Sequence, residues 1–330
     1  MSWKQRRVLV TGADGFIGSH LTECLVREGC QVRAFCFYNL NGSWGWLDKI
    51  DPEVKSLLDV RLGDIRDSRF TEEACKDIEV VFHLAALIAI PYSYEAPESF
   101  LETNVRGTLN VLEAVKRCAC ARMVHTSTSE VYGSPDSLPI REIHPLKPQS
   151  PYAASKVAAD KMCEAYACSF STPVVILRPF NTYGPRQSPR AVLPTIVMQL
   201  LAGAKKVRLG NLWPKRDLTF VEDTVEGFLL AGSTHLEPGE VIQLGTGVAV
   251  SVQELFEKAC EVLNAEAEVV VDHVRVRPPR SEVDALLSDP SYAWKRLGWR
   301  ANCSLEEGLR RTAEWMAHYE SVHGVEHYYV

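Results

Sequence analysis

The 330-residue sequence has no C-x-x-C motif, no membrane-length hydrophobic run and no excess of basic residues. Its ten cysteines are scattered, which favours free thiols over a zinc site or a secreted disulfide framework. The longest apolar run, Val80–Ile90, is interrupted by His83 and is shorter than the roughly 18 residues of a membrane span. A formal net charge of -6 argues against nucleic-acid binding. We therefore expect a cytoplasmic protein with no metal, no membrane association and no nucleic-acid partner.

Strands and helices alternate through the first half of the chain. Apolar segments such as Val8–Thr11 and Val80–Leu84 are separated by helical patterns such as Phe16–Arg27. This alternation predicts an α/β protein with a doubly wound parallel sheet of the Rossmann type. Four prolines between positions 179 and 194 then break the rhythm and indicate a second lobe. Within the second half, Ser251–Glu254 and Ser304–Glu307 are typical of capping boxes.

Three glycines, Gly12, Gly15 and Gly18, join the first strand to the first helix. Glycine permits a sharp turn and close approach to a pyrophosphate at the helix N-terminus, so this turn predicts dinucleotide binding. An acidic residue about 20 positions later normally holds the ribose of NAD. No such residue ends the second strand, where Asn39 is the available polar side chain, and the choice between NAD and NADP stays open. Asp64, after the third strand, could reach the adenine or simply be solvated.

Two further groups of residues have the chemistry of a catalytic site. Tyr152 and Lys156 are four positions apart, which places a phenol and an ammonium on one helix face. A phenol with pKa near 10 must lose about three units, roughly 4 kcal/mol, to act as a base near neutrality. Thr128, Ser129 and Glu130 follow the fifth strand, at the sheet edge where α/β proteins bind ligands. A surface helix and a capped turn are the alternative interpretations.

Together these motifs resemble the extended short-chain dehydrogenase/reductase family of NAD-dependent nucleotide-sugar epimerases and dehydratases. The resemblance covers essentially the whole chain and implies NAD, with NADP not excluded, a nucleotide-sugar substrate and a homodimer. It implies that Thr128, Tyr152 and Lys156 form the hydride-transfer triad, with Ser129 and Glu130 as further catalytic residues. The cofactor contacts that it implies are Gly12, Asp14, Gly15, Phe16, Ile17, Gly18, Asn39, Asp64, Ile65, Leu84, Ala85, Ala86, Asn104, Thr126, Tyr152 and Lys156. The substrate contacts that it implies are Ile88, Tyr92, Thr128, Glu130, Asn181, Arg190, Arg216 and Arg277.

The resemblance also implies how the chain divides. Residues 1–180 and about 219–247 are expected to form the NAD(P)-binding Rossmann domain. Residues 181–218 and 248–330 are expected to form a smaller α/β lobe that binds the nucleotide sugar. Asn104 is expected on the apolar face of a helix over Glu98–Arg117, together with Leu101, Val105 and Thr108.

The triplet Thr128-Ser129-Glu130 bears on the reaction. The dTDP-glucose 4,6-dehydratases carry Thr-Asp-Glu here, and UDP-glucuronate decarboxylases carry Thr-Ser-Glu. Segments around Trp44, Tyr92 and Arg190 resemble the 4,6-dehydratases that start legionaminic acid biosynthesis.

This resemblance implies conversion of UDP- or GDP-N-acetylglucosamine to the 4-keto-6-deoxy sugar. C4 would be oxidised, water eliminated across C5 and C6 with Glu130 as the base, and hydride returned to C6. Ser129 replaces the usual acid, so the source of the proton for the C6 hydroxyl stays open. The alternatives are a UDP-glucuronate-type decarboxylase, a nucleotide-sugar 4-epimerase and a non-catalytic NAD(P)-binding sensor.

Overall fold

The computed structural model describes residues 2–319 of the chain. Its strands are β1 (Arg7–Thr11), β2 (Gln31–Phe37), β3 (Asp59–Gly63), β4 (Val80–His83), β5 (Arg122–Thr126), β6 (Val174–Pro179), β7 (Asn181–Tyr183), β8 (Lys206–Leu209), β9 (Lys215–Phe220), β10 (Val241–Leu244), β11 (Ala249–Ser251), β12 (Glu268–Val271) and β13 (Ala285–Leu286). Its α-helices are α1 (Phe16–Arg27), α2 (Pro52–Ser56), α3 (Ser68–Cys75), α4 (Ile90–Glu95), α5 (Pro97–Phe100), α6 (Gly107–Arg117), α7 (Pro151–Phe170), α8 (Val192–Leu201), α9 (Val221–Ser233), α10 (Val252–Leu263), α11 (Ser291–Leu297) and α12 (Leu305–His318). Among these described helices, none is both long enough and apolar enough to cross a lipid bilayer.

The large sheet has seven parallel strands in the order β10-β6-β5-β4-β1-β2-β3. β2 and β3 are added on one side of β1. The chain then crosses to the other side of β1, where β4, β5, β6 and β10 are added in turn. In register, Val8 of β1 lies between Val32 of β2 and Val80 of β4. The predicted doubly wound α/β fold is therefore confirmed. Its direction reverses between β1 and β4, the crevice where such sheets bind ligands.

Alternate residues of the central strands pack into two separate cores. Val8 and Val10 of β1 belong to one core, and the residue between them, Leu9, belongs to the other. The same alternation places Phe82 of β4 in the first core and Val81 in the second. All five side chains are almost wholly buried, and burial of one such side chain stabilises a fold by about 1.5–3 kcal/mol. Helices must therefore cover both faces of the sheet.

Smaller sheets lie outside the seven-stranded sheet. β9 pairs with β7, β11 and β13, and β8 pairs separately with β12. β10 alone returns to the large sheet after the chain has entered this region. On this ground we retain as a proposal the division into residues 1–180 with about 219–247, and residues 181–218 with 248–330.

The helix that carries Asn104 corrects one sequence expectation. Residues 97–117 are continuously helical, but Leu101–Arg106 form a π-helical turn between α5 and α6. Asn104 is buried as expected, whereas Leu101 is 54% exposed and Phe100 occupies the interior. The expected shared face of Leu101 and Asn104 assumed 3.6 residues per turn, and a π turn is wider. Such turns occur frequently at functional sites.

The two predicted capping boxes differ in outcome. At α10 the Oγ of Ser251 accepts from the N–H of Glu254 at 3.1 Å, and the carboxylate of Glu254 accepts from the N–H of Ser251 at 2.6 Å. At α12 the Oγ of Ser304 accepts from the N–H of Glu307 at 3.2 Å. The carboxylate of Glu307, however, pairs with Arg310 at 2.5 Å. The box at α10 is confirmed, and the one at α12 is a simple N-cap.

Candidate active site

The glycine-rich turn is shaped for close approach of a ligand. Gly12 has φ +70°, and a Cβ atom there would lie 2.7 Å from the backbone nitrogen of Ala85. A Cβ atom on Gly18 would lie 2.0 Å from the carbonyl oxygen of Gly12. Gly15 is the N-cap of α1 and supplies no side-chain cap to the first turn, which begins at Phe16 and Ile17. The first turn therefore leaves backbone N–H groups for an anion such as a pyrophosphate.

A carboxylate does lie at the end of β2, but the glycine-rich turn supplies it. The Oδ2 of Asp14 accepts from the N–H of Phe37 at 3.2 Å, and burial raises the pKa of Asp14. Asn39, predicted to contact the ribose, instead binds the backbone of Ser43 through both its amide groups, at 2.7 and 3.0 Å. Cys36 points into the core. Asp14 is thus better placed than Asn39 to meet a ribose near the end of β2.

The predicted adenine contacts already have protein partners. The carboxylate of Asp64 binds the guanidinium of Arg66 at 2.5–3.0 Å, and these hydrogen bonds lower the pKa of Asp64. The side chain of Ile65 packs so closely on α6 that a Cβ atom at Gly107 would lie 2.5 Å from it. The structure therefore places Ile65 in the core and leaves Asp64 partly exposed at the sheet edge.

The loop after β4 is tied to its surroundings by buried polar groups. His83 contacts the hydroxyls of Thr11 at 2.8 Å and Thr108 at 3.0 Å, and burial lowers its pKa well below the usual range. The N–H groups of Leu84 and Ala85 bind the main chain and hydroxyl of Thr11. These bonds hold the half-buried residues 84–86 against the glycine-rich turn.

Asn104 connects the same loop to α7. Its Oδ1 accepts from the N–H of Leu87 at 2.8 Å, and its Nδ2 donates to the carbonyl of Leu87 and the hydroxyl of Ser155, each at 2.9 Å. Ala86 precedes this anchor and is half-buried. Asn104 was expected to contact the cofactor, and the structure shows that its side chain orders the backbone beside the expected cofactor position.

The predicted triad is assembled at the carboxyl end of β5. Tyr152 and Lys156 lie on the buried face of α7. Burial raises the pKa of Tyr152, and the nearby hydroxyl of Thr128 opposes that rise. Burial lowers the pKa of Lys156 to about 8, and its ammonium donates to the carbonyl of Thr126 at 2.5 Å. These groups can exchange a proton with a bound hydroxyl once the phenol is deprotonated.

Glu130 lies between the triad and the arginines. Thr128 is the N-cap of the 3-10 turn Ser129–Tyr132 and accepts from the N–H of Glu130 at 3.2 Å. The Oε1 of Glu130 is 3.9 Å from the Nη1 of Arg277. Burial lowers the pKa of Arg216, and the charge of Glu130 opposes that effect. Burial raises the pKa of Tyr152, and the charge of Glu130 adds to that rise. Ser129, the middle residue of the triplet, is 2% exposed and almost closed off from solvent.

The two arginines expected to bind the substrate share a carboxylate that the sequence analysis missed. The Oε1 of Glu282 is 3.4 Å from Arg216 and 3.7 Å from Arg277. Arg216 also donates to the carbonyls of Lys215 and Val283, each at 2.9 Å. The Nη1 of Arg277 is buried without a hydrogen-bond partner. An acidic residue five positions after Arg277 was the available signal for Glu282.

The remaining predicted substrate contacts are more dispersed. Tyr92 packs on Phe100 with ring centroids 6.0 Å apart and is 37% exposed. Asn181 has a buried Oδ1 without a hydrogen-bond partner. Ile88 and Arg190 are exposed on connecting segments. The structure therefore assembles Glu130, Arg216 and Arg277 through its own contacts, and it shows no such contact for Ile88 or Arg190.

The residues present fit a dinucleotide cofactor. Cβ atoms would fill the cradle formed by the three glycines, so only a glycine turn leaves that space. The hydroxyl oxygen of Thr126, at the end of β5, is buried with no protein partner and is free to bind a ligand. Both features lie at the carboxyl edge of the parallel sheet, where dinucleotides bind in folds of this type.

A family model and individual relatives place the chain in the same family. Residues 9–312 match the family described as GDP-mannose 4,6 dehydratase. A putative UDP-glucose 4-epimerase of Methanocaldococcus jannaschii is 32% identical over 314 residues, covering 94% of this chain and 98% of the relative. A dTDP-glucose 4,6-dehydratase of Streptomyces antibioticus is 33% identical over 312 residues, covering 93% and 91%.

Solved structures agree with the sequence relatives. MoeE5 in complex with UDP-glucuronic acid and NAD is 32% identical, with TM-score 0.83, covering 94% of this chain and 98% of that one. A NAD-dependent NDP-hexosamine 5,6-dehydratase involved in tunicamycin biosynthesis is 29% identical, with TM-score 0.82 and the same coverage. The cofactor expected from the sequence, NAD, is the one named in these structures. The chain therefore belongs to the extended short-chain dehydrogenase/reductase family of NAD-dependent nucleotide-sugar epimerases and dehydratases.

Proposed function

We propose that this protein is an NAD-dependent nucleotide-sugar 4,6-dehydratase acting on UDP- or GDP-N-acetylglucosamine. The observation that carries the proposal is the position of Glu130. This carboxylate is 9% exposed, acts electrostatically on Tyr152 and lies 3.9 Å from Arg277. An epimerase that only oxidises and reduces C4 needs no such base. Elimination across C5 and C6 requires one.

The triad performs the first proton transfer in this proposal. Tyr152 accepts the proton of the sugar 4-hydroxyl, while the hydroxyl of Thr128 donates a hydrogen bond to the 4-oxygen and holds it in place. The ammonium of Lys156 stabilises the phenolate through its positive charge. NAD, held by the glycine-rich turn, supplies when bound the two-electron acceptor for C4 and returns the electrons at C6.

Glu130 performs the second proton transfer. A ketone at C4 acidifies the hydrogen on C5, and Glu130 removes that hydrogen as the C6 hydroxyl departs. Arg216 and Arg277 hold the diphosphate, because a guanidinium matches phosphate oxygens in geometry and charge. Ser129 is a poor acid, so Glu130 itself or a relayed water returns the proton to the departing hydroxyl.

The substrate, assembly and location belong to the same proposal. The hexosamine named for one structural neighbour supports an N-acetylated sugar, and the local resemblance around Trp44 and Arg190 supports a role in legionaminic acid biosynthesis. We propose a cytoplasmic homodimer in which the Asn104 and Tyr152 helices of two copies pack as a four-helix bundle. If the protein sediments as a monomer, the proposed dimer is wrong, but the proposed reaction is unaffected.

One experiment separates the candidate functions. The protein is incubated with NAD and UDP- or GDP-N-acetylglucosamine in deuterated water, and in parallel with UDP-glucuronate, and product masses are recorded. Loss of water with deuterium at C5 supports the dehydratase. Carbon dioxide release from UDP-glucuronate indicates a decarboxylase. An isomer of unchanged mass indicates a 4-epimerase, and no product from any sugar indicates a binding protein.

The Glu130→Gln variant tests the assignment of the base. It retains the shape of the side chain but cannot accept the C5 proton, so we expect water loss to stop while oxidation of C4 continues. Absorbance of reduced nicotinamide near 340 nm follows that oxidation. Normal dehydration by the variant would show that Glu130 is not the base.

A further inference from the structure

A buried carboxylate behind the catalytic lysine has no role in the proposed reaction. Asp160 is one helical turn beyond Lys156 on α7 and is wholly buried. Its Oδ2 accepts from the hydroxyl of Ser127 at 2.8 Å and from two nitrogens of Arg178 at 2.9 and 3.1 Å. Its Oδ1 lies 3.3 Å from the Nε2 of His125. Three side chains from β5, β6 and the loop after β5 therefore converge on one charge.

The bond to Ser127 connects Asp160 to the residues beside both Lys156 and Tyr152. Ser127 lies between Thr126, whose carbonyl accepts from Lys156, and Thr128, whose hydroxyl lowers the pKa of the nearby Tyr152 phenol. The N–H of Ser127 also donates to β6 at 2.7 Å, so its main chain and side chain are both held. A displacement of this one residue would move the partners of both catalytic groups.

Charge matters as well as position. Several ionisable groups surround Asp160 and Lys156. They are Cys163 on α7, His83 on β4, His125 on β5, Arg178 on β6, Tyr132 in the 3-10 turn and Glu142 beside Arg178. Burial lowers the pKa of His125 and raises that of Cys163, so both are neutral near pH 7. Burial alone would raise the pKa of Asp160, but the nearby imidazole of His125 and the guanidinium of Arg178 reverse that effect. Asp160, paired with Arg178, is thus a buried anion whose charge acts on Lys156.

We propose that Asp160 is a positioning residue of the active site. Its carboxylate, anchored by Arg178, holds Ser127 between the partners of the triad and keeps a negative charge behind Lys156. This inference rests on the proposed catalytic roles of Tyr152 and Lys156. The competing explanation is that Asp160 only neutralises the buried guanidinium of Arg178.

Titration of Lys156 separates the two explanations without relying on turnover. The NAD-loaded protein is labelled with 13C at the lysine ε-carbon, and Lys156→Arg identifies the signal of Lys156. In Asp160→Asn we expect Lys156 to lose its proton at a pH lower by about one unit, since an opposite charge at this range shifts a pKa by about that much. An unchanged titration would overturn the electrostatic part of the proposal.

The pH dependence of kcat/KM provides the matching activity readout. Its alkaline limb should move to lower pH in Asp160→Asn and return to the wild-type position in Asp160→Glu, which restores the charge. Asp223→Asn is the matched control, because Asp223 is also buried but caps the backbone of residues 302 and 303 away from the site. A limb that moves equally in Asp223→Asn would overturn the proposal. If wild-type protein turns over no sugar, the proposed function fails while the lysine titration still tests Asp160.

The Ser127→Ala variant tests the positioning part of the proposal. It can be used even if Asp160→Asn does not fold. This variant removes one bond to the carboxylate and leaves every charge in place. We expect kcat to fall about tenfold with KM and the alkaline limb unchanged, because the partners of Lys156 and Tyr152 lose their fixed geometry. An unchanged kcat would overturn the positioning role.

Discussion

The ammonium nitrogen of Lys156 lies 2.5 Å from the carbonyl oxygen of Thr126, the last residue of β5. This bond joins α7 to the carboxyl edge of the parallel sheet in the interior of the protein. Lys156 is only 4% exposed, so the charge that the proposed chemistry needs is held in a place where water cannot stabilise it. Burying this charge costs free energy, and the first prediction follows from that cost.

Stability should depend on pH through Lys156. Burial lowers the pKa of this lysine to about 8, below the value of about 10.4 expected in the unfolded chain. Between these two values the unfolded chain binds the proton and the folded chain does not, so the free energy of unfolding should rise with pH. Urea unfolding of wild type and Lys156→Met, at about pH 7 and about pH 10, isolates this contribution as a difference. A difference that does not change between the two pH values would contradict the prediction.

Removing the phenol of Tyr152 should abolish most turnover and leave cofactor binding intact. We expect Tyr152→Phe to lower kcat by about 10²–10⁴-fold, the usual contribution of a general base. NAD affinity, measured by calorimetry, should change much less than kcat, because Tyr152 is one of many expected cofactor contacts and the glycine-rich turn is on a different element. Tyr166→Phe is the matched control on the same helix, since that hydroxyl binds Glu113 at 2.6 Å. Equal losses in both variants would indicate damage to α7 rather than loss of a base.

Gly12→Ala should weaken NAD binding far more than Gly42→Ala. Both glycines have positive φ, +70° and +64°, so both substitutions incur a similar backbone penalty of about 1–2 kcal/mol. Only at Gly12 would the new Cβ atom meet backbone, 2.7 Å from Ala85, whereas nothing lies within 4 Å of a Cβ at Gly42. Chemical denaturation and NAD calorimetry measure the two effects. Similar NAD affinity in both variants would show that the turn does not form the cofactor cradle.

Arg277→Met should raise the KM for the nucleotide sugar by about 10–100-fold, because hydrogen bonds to charged groups contribute about 1.5–3 kcal/mol. Arg277 has a buried nitrogen without a hydrogen-bond partner beside Glu130 and Glu282. Arg280, three residues later, is exposed and provides the control substitution Arg280→Met. Steady-state kinetics at one pH measures both. An unchanged KM in Arg277→Met would remove Arg277 from the substrate site.

Local patterns were sufficient for the parts of the molecule in which neighbours in sequence decide the structure. The first helix was predicted over Phe16–Arg27, and the structure has the same bounds. The four-residue spacing of Tyr152 and Lys156 placed both on the buried face of α7. Helical spacing and strand alternation are short-range properties, so these features needed no knowledge of the tertiary contacts.

Other features depend on the hydrogen-bond partner of a side chain or on the local width of a helix. Asn39 was predicted to contact the ribose, but its amide is used by Ser43, while Asp14 brings a carboxylate to β2 from the preceding turn. Leu101 was expected on the same apolar face as Asn104, but across the π turn Leu101 is exposed and Asn104 is buried. Neither the partner of an amide nor the width of a helical turn follows from hydrophobic periodicity.

The sequence by itself determined the Rossmann-type sheet, the glycine-rich turn and the set of candidate catalytic side chains. The tertiary structure decided how those side chains are supported. Glu282 joins Arg216 to Arg277, and Asp160 joins Arg178 to Ser127, through contacts between residues far apart in the chain. The physical reason is that a buried charge is unfavourable unless an oppositely charged or hydrogen-bonding group lies next to it in the folded protein. Only the folded chain determines which residue that partner is.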